Sequence, residues 1–166
     1  YFPSFAASWN VGEEDFLRNS NLFSSLKLRA SWGQTGNQEF PAGASQAQFS
    51  FTGPGRFEET QQANPDLKWE KTTQYNFGLD FGFANDRVTG SIDYYNRNTT
   101  DLLFNFTVTQ PGPGGRYWIN LPGNIINSGV ELAINSSIVR KKDFNFDFGF
   151  NVAFQKNILK NYNGPD

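Results

Sequence analysis

The chain has 166 residues, a formal net charge of −2 and a hydrophobic content of 37%. It contains neither cysteine nor histidine, which excludes disulfide frameworks, thiolate metal sites and the commonest general base. Its lysines and arginines form no cluster of the kind that binds nucleic acid, so we expect no nucleic-acid partner. No stretch reaches the roughly 18 consecutive apolar residues of a transmembrane helix.

A two-residue alternation of apolar and polar side chains runs through six segments of the chain. Successive side chains of a β-strand point to opposite faces of the sheet, so each segment predicts a strand with one apolar and one polar face. The apolar positions, in chain order, are Phe5, Ala7, Trp9 and Val11; Leu26, Leu28, Ala30 and Trp32; Tyr75, Phe77, Leu79, Phe81 and Phe83; Val88, Ile92 and Tyr94; Val130, Leu132, Ile134 and Ile138; and Phe144, Phe146, Phe148, Phe150, Val152 and Phe154.

The last segment shows what the alternation means. Residues 144–154 place five phenylalanines and a valine on one face, and their length suits a tilted transmembrane strand of roughly 9–11 residues. Lipid outside and water inside would require such a pair of faces. We therefore expect the polar positions to solvate an interior or to touch a plug; they include Gln74, Asn76, Asp80, Asp93, Asn135, Asn145, Asp147 and Asn151.

The connections alternate between short and long. Ala84–Arg87 and Val139–Asp143 are short, whereas the stretch from Asn37 to Lys71 and the one through Pro111–Gly115 are long. Unstructured loops of that length are uncommon in compact soluble domains. Short turns at one end and long loops at the other are typical of outer-membrane barrels.

An ordered series of short motifs resembles a known family. Together the motifs resemble the C-terminal barrel region of SusC/RagA-type TonB-linked outer-membrane transporters. The resemblance implies an all-β fold, an antiparallel transmembrane β-barrel segment with about six strands of a larger plugged barrel of about twenty-two. The motifs are Phe2–Trp9, Glu13–Leu17, Leu26–Asn37, Asn64–Asn76, Gly90–Asn96 and Asn127–Leu132.

The resemblance also implies a function and partners. Members of this family import oligosaccharides, peptides or similar oligomers across the outer membrane of Bacteroidetes-type bacteria. The partners it implies are a SusD-like surface lipoprotein, outer-membrane lipid, and TonB acting through an N-terminal region missing from this chain. Because the smallest outer-membrane barrels use about eight strands, we interpret residues 1–166 as part of a single β-barrel domain whose plug domain is absent from this chain.

We expect no enzymatic activity, cofactor or metal, because no nucleophile–base pair or metal-binding set is present. Four residues of the long loops, on the presumed extracellular side, are candidates for substrate contact: Trp69, Arg116, Tyr117 and Trp118. Aromatic rings stack on sugar rings or apolar peptide groups, and arginine binds carboxylates. The same side chains could instead pack loop against loop or against the lipoprotein.

Two other interpretations remain open from the residues alone. In a soluble carbohydrate-binding β-sandwich, the phenylalanine faces would form a core between two sheets, and the loops would be shorter and balanced. In a self-assembling fibre, residues 144–154 would pair edge to edge. Regular repeats would favour a fibre, and the sequence has none beyond the strand period.

Overall fold

The computed structural model describes residues 1–17, 22–107 and 115–162. Among these residues, no helix is long and apolar enough to cross a membrane. The elements, in chain order, are β1 (Ser4–Trp9), a turn of 3₁₀ helix (Val11–Glu13), β2 (Phe23–Asn37), β3 (Gln48–Gly53), β4 (Arg56–Gln61), β5 (Glu70–Phe83), β6 (Val88–Thr107), β7 (Arg116–Lys141) and β8 (Phe144–Lys160).

The eight strands belong to one sheet. Its order is β1-β2-β5-β6-β7-β4-β3, and β8 also pairs with β7. Strands β1 and β2 are antiparallel, with a register that runs from Ser4 opposite Gly33 to Trp9 opposite Leu28. Strand β4 pairs with β7 in parallel, through Gln61 and Arg116.

The six predicted strands are all present, and two more were not predicted. The apolar segments lie in β1, β2, β5, β6, β7 and β8, except that β1 ends at Trp9, before Val11. Strands β3 and β4 form an antiparallel hairpin inside the stretch from Asn37 to Lys71, which the sequence predicted as a loop. Each has only six residues, too few for the alternation to stand out.

The other long connection is much shorter than predicted. Strand β6 continues to Thr107 and β7 begins at Arg116, whereas the alternation marked only Val88–Tyr94 and Val130–Ile138. The polar run from Asn96 to Thr100 hides the continuation of β6. Of the predicted Pro111–Gly115 loop, residues 111–114 lie outside the described residues.

The chain divides into two compact units. Unit 1 comprises Tyr1–Gln34, Thr73–Asn98 and Ile126–Ile158. Unit 2 comprises Thr35–Thr72, Thr99–Ile125 and Leu159–Asp166. Unit 1 holds β1 and the two short turns, and unit 2 holds the β3–β4 hairpin.

In unit 1 the apolar face of β8 is exposed. The side chains of Phe144, Phe146, Phe148, Phe150 and Phe154 are between 48% and 70% exposed. No large side chain of the described residues is fully buried. The β-sandwich interpretation, which required this face to be covered by a second sheet, is therefore wrong.

The short turn between β5 and β6 concentrates backbone strain. Ala84, Asn85 and Asp86 all have positive φ angles, of 54°, 56° and 57°. Asparagine and aspartate enter this left-handed region more readily than alanine, for which it costs roughly 1–2 kcal/mol. The backbone N–H of Asp86 donates a hydrogen bond to the Ser24 hydroxyl at 3.1 Å, and the turn keeps its conformation despite the alanine.

We expect Ala84→Gly to stabilise the protein by up to about 1 kcal/mol, because glycine enters the left-handed region without a Cβ clash. The measurement is the free energy of unfolding by urea in lipid vesicles. Ala153→Gly, in the middle of β8, is the control, and it should destabilise because glycine weakens strand interiors. If Ala84→Gly destabilised the protein as much as the control does, the conclusion that Ala84 is strained would be wrong.

Candidate functional site

Unit 1 carries a polar concave surface, which we call the polar face. It borders an open cavity of about 720 Å³. Apart from Tyr94, which belongs to the apolar set and borders the cavity as well, the lining comes from the alternate positions of β2, β5, β6, β7 and β8, as the two-residue period predicts. Its hydrogen-bonding side chains are Arg29, Ser31, Gln74, Asn76, Asp93, Tyr94, Tyr95, Arg97, Asn127, Glu131, Gln155 and Asn157.

An ion network crosses three strands of this face. The Arg29 guanidinium donates two hydrogen bonds to Asp80, from Nε to Oδ2 at 2.8 Å and from Nη2 to Oδ1 at 2.7 Å. Its Nη2 also donates to Asp93 Oδ1 at 2.8 Å. The three side chains are 33–40% exposed, so the network is solvated and contributes modestly to stability. Its geometric effect is to fix three charges in one arrangement on the polar face.

Gly78 makes the network possible. It lies on β5, between β2 and β6 in the sheet, and the guanidinium passes over it. A Cβ at this position would lie 2.6 Å from Arg29 Cζ and 2.6 Å from Asp93 Oδ1. Any side chain larger than hydrogen would therefore displace the arginine from its second carboxylate.

Further side-chain hydrogen bonds complete the polar face. Asn76 Nδ2 donates to Ser31 Oγ at 3.1 Å, and Arg97 Nε donates to Gln74 Oε1 at 3.3 Å. Ser137 and Asp147 also share a hydrogen bond. A face that combines both charge signs with amides and hydroxyls can bind water or other hydrogen-bonding groups along its whole length.

The alternation anticipated part of this face. Gln74, Asn76 and Asp93 line the cavity, and Asp80 joins through Arg29. The central position of Arg29 was not predicted, because it depends on β2 and β6 lying on either side of β5. The one signal was a glycine at a polar-face position of β5.

The predicted substrate-contacting residues lie in unit 2. Arg116, Tyr117 and Trp118 are the first three residues of β7, so their predicted placement on a long loop is wrong. Strand β7 extends this far because β4 pairs with it, and the Gln62 N–H donates to the Arg116 carbonyl at 2.8 Å. Trp69 directly precedes β5 and is 46% exposed.

These residues differ in accessibility. Arg116 is exposed, whereas Tyr117 and Trp118 are half-buried. The Trp118 ring lies 6.5 Å from the ring of Phe40, centroid to centroid. Arg116 and Trp69 are therefore the two of the four that are most open to a ligand.

Two asparagines fix the backbone beside Trp118. Asn64 Nδ2 donates to the Trp118 carbonyl at 2.8 Å, and its Oδ1 accepts from the Asp66 N–H at 3.2 Å. Asn120 bonds both the N–H and the carbonyl of Lys68, each at 2.8 Å. Asn64–Leu67 forms a turn, closed by a hydrogen bond from the Leu67 N–H to the Asn64 carbonyl at 3.2 Å.

Comparisons with known proteins agree with this architecture. A family model described as "TonB dependent receptor-like, beta-barrel" matches residues 1–166. The chain is 37% identical to TonB-dependent receptor SusC of Bacteroides thetaiotaomicron over 99% of its own length, and 36% identical to TonB-dependent receptor P3 of Formosa agariphila over 100%. It covers 18% and 17% of those two proteins.

Solved structures give the same result. The chain superimposes on a structure described as the RagAB peptide transporter with a TM-score of 0.82 and 29% identity, covering 96% of this chain and 18% of that one. The chain belongs to the TonB-dependent receptor β-barrel family. Within it, the chain is of the SusC/RagA type, so the resemblance seen in its motifs is confirmed. The strand number of the full barrel stays a prediction.

We expect Gly78→Ala to destabilise the protein by about 1 kcal/mol, because the added Cβ displaces the guanidinium and breaks a charge-assisted bond. The measurement is the free energy of unfolding in lipid vesicles. Gly53→Ala is the matched control, since a Cβ there meets nothing within 4 Å. Gly78→Ala should lower the free energy of unfolding much less when Arg29→Ala is already present, because the two changes act on one network. Equal free energies of unfolding for the two alanine variants would contradict the passage of the Arg29 guanidinium over Gly78.

Proposed function

We propose that this chain forms part of the wall of a TonB-dependent outer-membrane transporter that imports oligosaccharides, peptides or similar oligomers. The observation that carries the proposal is the division of the sheet in unit 1 into an exposed apolar face and a hydrogen-bonding polar face. In an outer-membrane barrel the first contacts lipid and the second contacts water, substrate or plug. The family membership supports the same orientation.

The chain covers about a sixth of its curated relatives, so transport is a property of the whole protein. We infer that residues 1–166 are part of one β-barrel domain, and that the plug and the contact with TonB lie outside them. A SusD-like surface lipoprotein is the extracellular partner that the SusC/RagA type suggests. Outer-membrane lipid surrounds the apolar face. No catalytic step is part of this proposal.

Peptide import has one specific argument in its favour. A solved neighbour is described as a peptide transporter, and Arg116 is an exposed cation beside Tyr117 and Trp118. Guanidinium binds carboxylates through two hydrogen bonds, and aromatic rings pack on apolar side chains. We propose that Arg116 and Trp69 contact substrate directly, while Tyr117 and Trp118 support them.

Uptake by cells tests the transport function. A strain without the gene for the protein should lose uptake of one class of oligomer, and a plasmid copy should restore it. Defined oligopeptides and oligosaccharides of similar mass would be compared side by side. Unchanged uptake of every oligomer tested would contradict the proposal.

The orientation of β8 makes a mutational prediction. Phe148→Arg should destabilise the protein in lipid by up to about 4 kcal/mol, because an arginine on the lipid face of a barrel strand is poorly solvated. Asn151→Arg, three residues further along the strand on the opposite face, should cost far less. Unfolding by urea in vesicles measures both, and similar losses would contradict the assignment of faces.

The role of Arg116 can be tested with a control in the same strand. Arg116→Gln should weaken the binding of a peptide with a free carboxylate by about tenfold, because a charge-assisted hydrogen bond is lost. Arg140→Gln removes an exposed arginine near the other end of β7 and should leave binding unchanged. Titration calorimetry of the purified protein measures both, and equal affinities for the two variants would rule out this role.

A further inference from the structure

The apolar face of unit 1 has a gap between β1 and β2. Three residue pairs face each other on this side of the two strands: Phe5 with Trp32, Ala7 with Ala30, and Trp9 with Leu28. The outer pairs are large, and the rings of Phe5 and Trp32 stack at 5.9 Å. The middle pair has only methyl groups. Because rows on one face are about 7 Å apart along a strand, the alanines leave a notch about one row wide between bulky walls.

The notch continues across the next two strands. It opens into a groove of about 510 Å³ lined by Phe77 and Leu79 of β5 and by Ile92 and Tyr94 of β6. Phe77, Ile92 and Tyr94 are 41–55% exposed. Ser8, Gly78 and Arg29 also border the groove, at positions that alternate to the polar face.

The lining has the chemistry of a hydrocarbon site. The alternate positions that face the groove contribute alkyl and aromatic groups. The indole N–H of Trp9 already donates to Glu14 Oε1 at 2.8 Å, and the Tyr94 hydroxyl is the other polar group among these positions. A charged or strongly hydrogen-bonding ligand would find little to pair with here, whereas an alkyl chain would gain contacts on two walls.

The position of the groove selects a leaflet. The short turn between β5 and β6 connects Phe83 to Val88. Each of the four groove residues on these strands lies four to six residues from that turn: Phe77 and Leu79 before it, and Ile92 and Tyr94 after it. Short turns of outer-membrane barrels face the periplasm. The groove therefore lies in the half of β5 and of β6 that is nearer the periplasm, within reach of the acyl chains of that leaflet.

We propose that the notch of Ala7 and Ala30, with its groove, seats one acyl chain of a phospholipid from the periplasmic leaflet. The proposal rests on the proposed function, because it requires the apolar face to contact lipid. It goes further in assigning a defined seat to one lipid chain. By contrast, the alternating aromatic row of β8 continues from Phe144 to Phe150 without an alanine, so it offers lipid a surface and no notch.

Photocrosslinking in nanodiscs tests the proposal. The purified protein is reconstituted with phosphatidylethanolamine that carries a diazirine on one acyl chain, irradiated, digested and mapped by mass spectrometry. We expect the label per peptide around Leu79 and Ile92 to exceed that around Phe148 by about threefold, because the seated chain makes more contacts. The double variant Ala7→Leu/Ala30→Leu should abolish the excess and leave the label at Phe148 unchanged. Val130→Leu, on the same face outside the notch, is the control and should change neither.

Each outcome separates the seat from the proposed function. Equal labelling of the groove and of Phe148, unaffected by the leucines, overturns the seat and leaves the lipid-facing assignment standing. Labelling at neither place overturns both. If the excess label at the groove disappears when lipopolysaccharide is added, the groove binds that lipid, and the assignment to a phospholipid is wrong. An excess that survives the double variant places the lipid elsewhere and also overturns the seat.

Discussion

A hydrocarbon layer offers the backbone no hydrogen bonds, and the rest of this structure depends on that constraint. Every N–H and carbonyl in such a layer must be satisfied by a neighbouring strand. The chain responds with strands of 14 to 26 residues in β5, β6 and β7, far longer than the usual strand of about 5–6 residues. Continuous pairing leaves side chains only two environments, set by the parity of the position. This explains why Val11 and Ala44 are the buried hydrophobic residues that the described chain shows.

Because the described residues bury almost no hydrophobic side chains, local shape depends on where small residues lie in the strands. On the polar face, Arg29 lies over Gly78 and the Tyr95 hydroxyl lies over Gly129, where a Cβ would approach to 2.6 Å and 2.8 Å. On the apolar face, the Phe81 ring covers Gly90 in the same way. At these three glycines, a neighbouring side chain thus occupies the space that a Cβ would need. Ala7 and Ala30 lie opposite each other and differ from these glycines, because the space beside them stays open. The groove at this position is therefore a candidate binding site.

The parity of side chains could be predicted from the sequence, and the order of the strands could not. Alternation located six strands and the turn at Ala84–Arg87, and it assigned Asp80 and Asp93 to one face. It missed the β3–β4 hairpin, whose strands are short, and the second half of β6, where Asp101 has a positive φ of 55° within a polar stretch. The Arg29 network needs β5 to lie between β2 and β6, a relation across 51 and 64 residues of sequence. Family motifs identified the class of protein without specifying any of these contacts.

The placement of Arg116 in a strand bears on the substrate contact proposed for it. A residue on a mobile loop loses backbone and side-chain entropy when it binds, whereas the backbone of a residue on a paired strand is already positioned. In unit 2 the pairing with Gln61 fixes the Arg116 backbone, and the Asn64 amide fixes the Trp118 carbonyl two residues later. An exposed guanidinium on so constrained a backbone is suited to a carboxylate presented in one orientation. Selectivity at this site would then come from the shape of the ligand end, and the rest of an oligomer could vary widely in sequence.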